Sequence, residues 1–259
     1  MLSNIMIGKY YPVKSSIHKM NPLAKVICTV IFIAMCFLSN SLELQLALLL
    51  LLILMIFNTK VPIKIYLKAV YSLRFLLIFV VIINFIFKIN YIETIILLCR
   101  LIFVVIYTTI LTLTTPPVEL TYGFEKLLSP FKLIGLPVNK MAFSICLSLR
   151  FIPTIISQGN KILKSQSSRG VDYYNSNLSG KWLAIKTLVI PMFILSLKNA
   201  DELSDAMEIR LYNVNKKRTN FRQNKWGFFD TYLVLIHLLI LGIVISRGVG
   251  NEIFNNFFI

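Results

Sequence analysis

The sequence is poor in acidic residues and in histidine: its 259 residues include only 11 Asp or Glu and 2 His. The two histidines are far apart and lie beside no carboxylate cluster, so we expect no metal site. The four cysteines show no short-range pair that could bind zinc or perform redox chemistry, and are interpreted as packing residues. The phosphate loop, the nucleophile elbow and the His-Glu-x-x-His motif are also missing. We therefore expect neither enzyme activity nor a cofactor.

Hydrophobic residues make up 57% of the chain and charged residues only 15%, a balance too apolar for a soluble domain. Apolar runs cover residues 23–38, 42–57, 69–87, 92–113 and 228–246. A helix needs about 20 residues to cross a bilayer core. The first two runs are short and are separated by Ser39-Asn40-Ser41, which predicts thin or tilted spans joined by a tight turn. The sequence thus predicts an all-α, polytopic membrane protein with about five transmembrane helices.

The formal charge of +16 could suggest a nucleic-acid partner, but in a membrane chain the position of the basic residues is more informative. Lysines precede the first run, basic residues gather between the second and third, and 16 Lys or Arg lie between residues 114 and 226. The turns predicted to lie on the other side of the membrane hold few basic residues. This asymmetry predicts a cytoplasmic N-terminus, a C-terminus outside the cell and no nucleic-acid binding.

Residues 114–226 differ from the rest in their mixture of polar and apolar residues and are interpreted as a cytoplasmic coupling domain. Residues 1–113 would then form a membrane domain with four spans, and residues 227–259 the last span and a tail. Two long helical stretches are predicted at about 139–168 and 180–212, each with an internal proline, Pro153 and Pro191. Gly170 is placed where a C-terminal cap would lie. Residues 182–197 are apolar enough for a sixth span, although a helix at the cytoplasmic edge of the membrane is preferred.

Each long stretch ends near an arginine, Arg169 or Arg210. Helix neighbours lie three and four residues apart, and the residues at those distances before the arginines are Ser165, Gln166, Ala206 and Met207. No preceding carboxylate on the same helix can therefore neutralise either guanidinium. Each arginine could simply be a solvated cation favoured by the helix dipole. Two arginines in similar settings instead favour contact with a partner protein.

The predicted spans contain no acidic or histidine relay of the kind expected in a proton-coupled carrier. Glu43 and Glu93 lie near span ends. Arg74 is expected to extend to the cytoplasmic face, and Arg100, eight residues into its run, to pair within the helix bundle. A secondary carrier is thus disfavoured, but remains an alternative together with a membrane scaffold that has no transport role.

Five segments resemble, in the same order, the transmembrane T component of energy-coupling factor transporters, which are ATP-driven importers of vitamins and metal ions. They are GKYYPVKSSIHKMNPLAK (8–25), TLTTPPVELTYGFEKLL (112–128), SLRFIPTI (148–155), SQSSRGVD (165–172) and ADELSDAMEIRLY (200–212). The resemblance covers most of the chain. It implies a bacterial cell membrane protein that transmits motion from two cytoplasmic ATP-binding subunits to a separate substrate-binding membrane subunit, which would select the cargo.

By this resemblance, Ser168-Arg169-Gly170 and Ile209-Arg210-Leu211 would be the contacts with the two ATPase subunits. The first triplet has serine where the family usually has alanine, a change between small residues. The second keeps only the arginine of the family pattern. Leucine at position 211 replaces the residue that most easily adopts a left-handed cap. This departure predicts a divergent or dedicated ATPase partner.

Overall fold

The computed structural model describes residues 10–88, 90–171, 178–213 and 225–258. Regular structure in these ranges is helical, which confirms the predicted all-α fold. The α-helices are α1 Ser16–Lys19, α2 Pro22–Leu38, α3 Leu42–Thr59, α4 Ile63–Ser72, α5 Arg74–Ile86, α6 Tyr91–Thr114, α7 Pro117–Leu127, α8 Val138–Ser168, α9 Leu178–Ile209 and α10 Phe228–Phe258. A 3-10 helix, Ser129–Ile134, lies between α7 and α8.

The helices form two compact units, one made by α8 and α9 and the other by the remaining α-helices. Asparagine and serine residues cap the starts of several helices: the side chain of Asn21 accepts from the Leu23 amide before α2, and that of Asn90 from the Ile92 amide before α6. The three-part domain division drawn from the sequence, at residues 113 and 226, stays a prediction.

Four helices in the described part of the chain are long and apolar enough to cross a membrane: α3, α6, α8 and the Phe228–Arg247 part of α10. Helices α4 and α5 pass the same criteria together, as a pair bent by 50°. The chain is therefore a multi-pass membrane protein, as predicted. The set of candidate membrane-spanning helices differs from the predicted set in two members. Helix α2 has only 17 residues, and α8, which the sequence analysis assigned to the coupling domain, also qualifies by length and composition.

The larger unit is built around α2, which packs against α6, α7 and α10. The Phe32 ring stacks on Tyr107 of α6 with centroids 4.1 Å apart, and both side chains are buried. His237 of α10 is also fully buried. Its Nδ1 donates to the Leu233 carbonyl at 2.8 Å, so its Nε2 accepts from the Tyr107 hydroxyl at 2.8 Å. This histidine is thus a satisfied packing residue that links α6 to α10.

Of the two arginines in the predicted apolar runs, Arg100 has the kind of contact expected from the sequence, and the orientation of Arg74 toward the cytoplasmic face stays a prediction. Arg100 Nη2 donates to the Ser39 carbonyl at 3.0 Å and to Asn40 Oδ1 at 3.2 Å, which confirms that it pairs within the bundle. It thereby fixes the α2–α3 turn against α6. Arg74 is exposed at the bend between α4 and α5, where its guanidinium donates to the Tyr71 hydroxyl.

Candidate functional site

The C-terminal tip of α8 is closed by a Schellman motif, the double hydrogen bond that ends a helix through a left-handed residue. Gly170 has a φ of +86°, its amide donates to the Ser167 carbonyl at 3.0 Å, and the Val171 amide donates to the Gln166 carbonyl at 3.1 Å. The predicted glycine cap is therefore confirmed. Arg169 is the capping residue, so its side chain projects from the last turn of the helix.

The tip of α9 ends in the same way without a glycine. Leu211 has a φ of +54°, its amide donates to the Glu208 carbonyl at 2.8 Å, and the Tyr212 amide donates to the Met207 carbonyl at 2.9 Å. These bonds occupy the same positions of the motif as those at the first tip. Arg210 is again the capping residue. Leucine at this cap therefore has the left-handed backbone conformation that glycine has at the first tip.

A left-handed conformation costs a residue with a β-carbon roughly 1–2 kcal/mol relative to the right-handed helix. Leu211 has this conformation although 90% of its surface is exposed, and Ile209 on the other side of the arginine is 82% exposed. Packing contacts within the described chain therefore offset little of that conformational cost. Arg210 thus lies between two large apolar side chains that are uncovered.

The two tips lie at opposite ends of the α8–α9 unit. The ring of Phe143, near the start of α8, lies 5.3 Å from that of Tyr212, just beyond α9. Further along, Asn199 Nδ2 of α9 donates to Gln158 Oε1 of α8 at 3.3 Å. The two helices therefore run in opposite directions along their contact. Since Phe143 and Arg169 are 26 residues apart, about 39 Å of helix separates the contact with the second tip from Arg169.

Both arginines are available to a partner. Arg169 and Arg210 are exposed, and neither forms an ion pair with any residue that the structure describes. The negative end of the helix dipole favours a cation at each position without neutralising it. Ser168, next to Arg169, is exposed and donates its hydroxyl to the Lys164 carbonyl at 3.0 Å. The six predicted residues therefore form two separate surfaces, each centred on one guanidinium.

The first two family-like segments come together in the larger unit, a contact that the sequence did not predict. Lys25, in the first turn of α2, has a buried side chain. Its Nζ donates to the Thr114 carbonyl and Thr115 Oγ1, both at 3.1 Å, and to the His18 carbonyl at 3.4 Å. The lysine therefore ties the start of α2 to the end of α6. The two threonine acceptors lie 89 and 90 residues away along the chain.

Close backbone packing strengthens the same junction. A β-carbon on Gly123 of α7 would lie 3.2 Å from the backbone carbon and oxygen of Pro22, so any larger residue would have to push the two helices apart by a few tenths of an ångström. The Tyr11 amide donates to the Leu113 carbonyl at 3.0 Å. Asp230, buried at the start of α10, accepts from the Asn21 amide at 3.2 Å. The junction thus connects the start of α2 with the end of α6, with α7 and with the start of α10.

His18 belongs to this junction. Its Nε2 donates to the Tyr11 carbonyl at 2.9 Å, and its Nδ1 accepts from the Ser15 hydroxyl at 2.7 Å, as in a neutral imidazole. Partial burial lowers the pKa of this histidine below its ordinary value of 6.5, and the charge of Lys25 acts in the same direction. The described residues contain no group of three or more His, Cys, Asp or Glu that could hold a metal ion.

Comparison with known proteins identifies relatives of this chain. The family model described as cobalt transport protein (CbiQ) matches residues 13–221. The chain is 34% identical to the energy-coupling factor transporter transmembrane protein EcfT of Listeria innocua, over 94% of this chain and 98% of that protein. The EcfT proteins of Bacillus subtilis and Exiguobacterium sibiricum are 33% and 36% identical, each over 93% of this chain and 97% of theirs.

Proposed function

Since the chain belongs to the CbiQ family and is similar to EcfT proteins over almost its whole length, we propose that it is the energy-coupling membrane subunit of an energy-coupling factor importer. In this role the chain transmits ATP-driven motion from two cytoplasmic ATP-binding subunits to a separate membrane subunit that binds the substrate. The substrate would be a vitamin or a metal ion. The protein lies in the bacterial cell membrane with its N-terminus in the cytoplasm.

The observation that carries this proposal is the presence of two helix tips with the same hydrogen-bonded cap, each with an exposed arginine as the capping residue. The tips lie at opposite ends of a helix pair, so a single small site could not bind both. Two copies of one partner, each holding one tip, fit this arrangement. The resemblance of both segments to the family's ATPase-contacting motifs agrees with it.

Arginine suits such a joint because its planar guanidinium can make two parallel hydrogen bonds to a carboxylate and stays charged when partly buried. Exposed Ile209 and Leu211 would supply apolar contact around Arg210, while the first tip, with Ser168 and Gly170, would allow a closer backbone approach. Removing one member of a buried charge pair at an interface costs about 2–5 kcal/mol, which weakens binding more than tenfold.

The helix pair provides the stiff element that a coupling role requires. α8 and α9 have 31 and 32 residues, and each continues through its internal proline, Pro153 or Pro191. Many apolar side chains of this unit are exposed, among them Trp182, Phe193 and Ile194. Such a surface fits contact with lipid and with a membrane-embedded partner. Movement of the tips would thus be carried along the helices to the substrate-binding subunit.

The test is to express the chain with two ATP-binding subunits and a substrate-binding membrane subunit from the same cell, and to measure co-purification and ATP-dependent uptake. Arg169→Ala and Arg210→Ala should each reduce co-purification of the ATPase subunits more than tenfold, and the double variant should abolish uptake. Lys161→Ala, an exposed cation on α8 two turns before the cap, is the matched control and should leave both readouts unchanged.

Full assembly and uptake by the double variant would contradict the proposed role of the tips. Uptake driven by an ion gradient without any ATPase subunit would instead support a secondary carrier. A chain that co-purifies with neither type of subunit and supports no uptake would be a membrane scaffold.

A further inference from the structure

The part of the chain between α3 and α5 carries positive charge without any acidic residue nearby in sequence. No Asp or Glu occurs between Glu43 and Glu93, whereas Lys60, Lys64, Lys68 and Arg74 all lie in this interval. All four basic side chains are exposed. Among the residues that the structure describes, none of the four forms an ion pair. Their counter-charge must come from outside the described chain.

Helix α4 is held in a fixed position by its buried face. The Tyr66 side chain is buried, its hydroxyl lies 3.0 Å from Thr59 Oγ1 at the end of α3, and α4 packs against α6. With only 10 residues, α4 is too short to cross a bilayer alone, and the chain bends by 50° before α5 continues. Helix α4 is thus a short, fixed segment next to the apolar helix α5.

The exposed surface of α4 is divided between apolar and basic residues. Ile63, Leu67 and Tyr71 follow one another at intervals of four, so they form a stripe, and each is 59–64% exposed. Lys64 and Lys68 are the next residues around the helix, so a row of two cations borders the apolar stripe. A helix with this pattern fits the boundary between lipid headgroups and acyl chains.

Arg74 adds an oriented guanidinium at the bend. Its Cζ carbon lies 4.6 Å from the ring centroid of Tyr71 and 4.8 Å from that of Phe75, and its Nη1 donates a hydrogen bond to the Tyr71 hydroxyl. Among the residues that the structure describes, no acceptor occupies its remaining N–H groups, so they can bind an anion. Lys64 and Lys68 are one turn apart and repel each other, so an anion beside them would remove an unfavourable interaction.

We propose that Lys64, Lys68 and Arg74 bind the phosphate headgroup of an anionic phospholipid, with Ile63 and Leu67 lying against its acyl chain. The apolar stripe beside the cations favours a lipid over a free phosphate, because a soluble ion would leave Ile63 and Leu67 uncovered. This site belongs to the larger unit and does not depend on the proposed contacts of Arg169 and Arg210.

The experiment measures lipid binding to the purified full-length chain in neutral detergent by native mass spectrometry, with phosphatidylglycerol and phosphatidylcholine as probes. Each cation near a headgroup contributes about fivefold to the affinity for an anionic lipid. The double variant Lys64→Gln, Lys68→Gln should therefore bind phosphatidylglycerol about 25-fold more weakly, while its binding of phosphatidylcholine stays the same. Arg74→Gln alone should weaken phosphatidylglycerol binding about fivefold.

The matched control is Lys161→Gln, Lys164→Gln, which removes the same charge from exposed positions of α8. An equal loss in this control would show a general effect of net charge and overturn the site. Unchanged phosphatidylglycerol binding in the double variant would also overturn it. Displacement of the lipid by millimolar glycerol phosphate would instead indicate a phosphate site. If the double variant does not fold, Lys64→Gln and Lys68→Gln are measured singly, with about fivefold losses expected.

Discussion

The left-handed cap at Leu211 predicts that glycine at this position will make the tip of α9 more stable. A β-carbon in this conformation costs roughly 1–2 kcal/mol, while glycine loses about 0.5–1 kcal/mol more backbone entropy when it is ordered. The net gain from Leu211→Gly is therefore about 0.5–1 kcal/mol. Because the leucine side chain is 90% exposed, the substitution removes little packing in the free chain.

The gain can be measured by hydrogen exchange of the isolated chain in detergent. The amides of Leu211 and Tyr212 donate to the carbonyls of Glu208 and Met207, so peptides covering the end of α9 report the opening of this cap. Exchange in the Leu211→Gly variant should slow about 2-fold to 5-fold, which corresponds to the expected net free energy. Leu211→Ala keeps the β-carbon and should show no such slowing.

The opposite substitution at the first tip completes the test. Gly170 has a φ of +86°, and an added β-carbon there would meet nothing within 4 Å, so the expected effect of Gly170→Leu is the cost of its backbone conformation. Exchange at the end of α8 should become about 2-fold to 5-fold faster. If the glycine and alanine variants at position 211 behave alike, or if Gly170→Leu slows exchange, the proposed equivalence of the two caps is wrong.

Three further predictions concern the junction around α2. Lys25→Met leaves buried acceptors without a donor and should lower the free energy of unfolding by about 1–3 kcal/mol, measured by thermal unfolding in detergent; an equal effect of Lys19→Met, at an exposed position, would contradict this role. Gly123→Ala should destabilise by about 1–3 kcal/mol because its β-carbon meets the backbone of α2, whereas Gly242→Ala, in open space on α10, should be neutral or stabilising. Since burial lowers the pKa of His18 in the folded chain, the unfolded chain binds more protons below about pH 6.5; stability should therefore fall as the pH drops through this range, and His18→Asn should reduce that dependence.

The helices were predictable because their signals are local. Apolar runs of nearly membrane-crossing length predicted α3, α6 and α10, and Gly170 predicted its cap because glycine is the residue that adopts a left-handed conformation most easily. The intervals predicted for the two long helices agree with α8 and α9 to within three residues at each end. The contact of Arg100 within the bundle followed from the cost of an unpaired charge among apolar helices.

The remaining features depend on contacts between distant segments, which a single sequence does not display. In the sequence, Lys25 resembles other lysines near a span end. It is a buried donor because the fold places Thr114 and Thr115 next to it. The cap at Leu211 was missed for another reason. The rule that associates left-handed caps with glycine describes a preference of about 1 kcal/mol, which the hydrogen bonds of the motif can overcome. Whether the two tips bind ATPase subunits stays a prediction.

The cap at Leu211 also bears on how such a tip can diverge over time. The end of α9 has this backbone conformation with leucine, and a glycine there would only be the least strained way to build it. Replacement of that glycine would be a tolerable step as long as the rest of the chain has about 1 kcal/mol of stability to spare. A bulky residue at this position adds apolar surface beside the arginine. A partner subunit that binds this tip would then need a matching apolar surface.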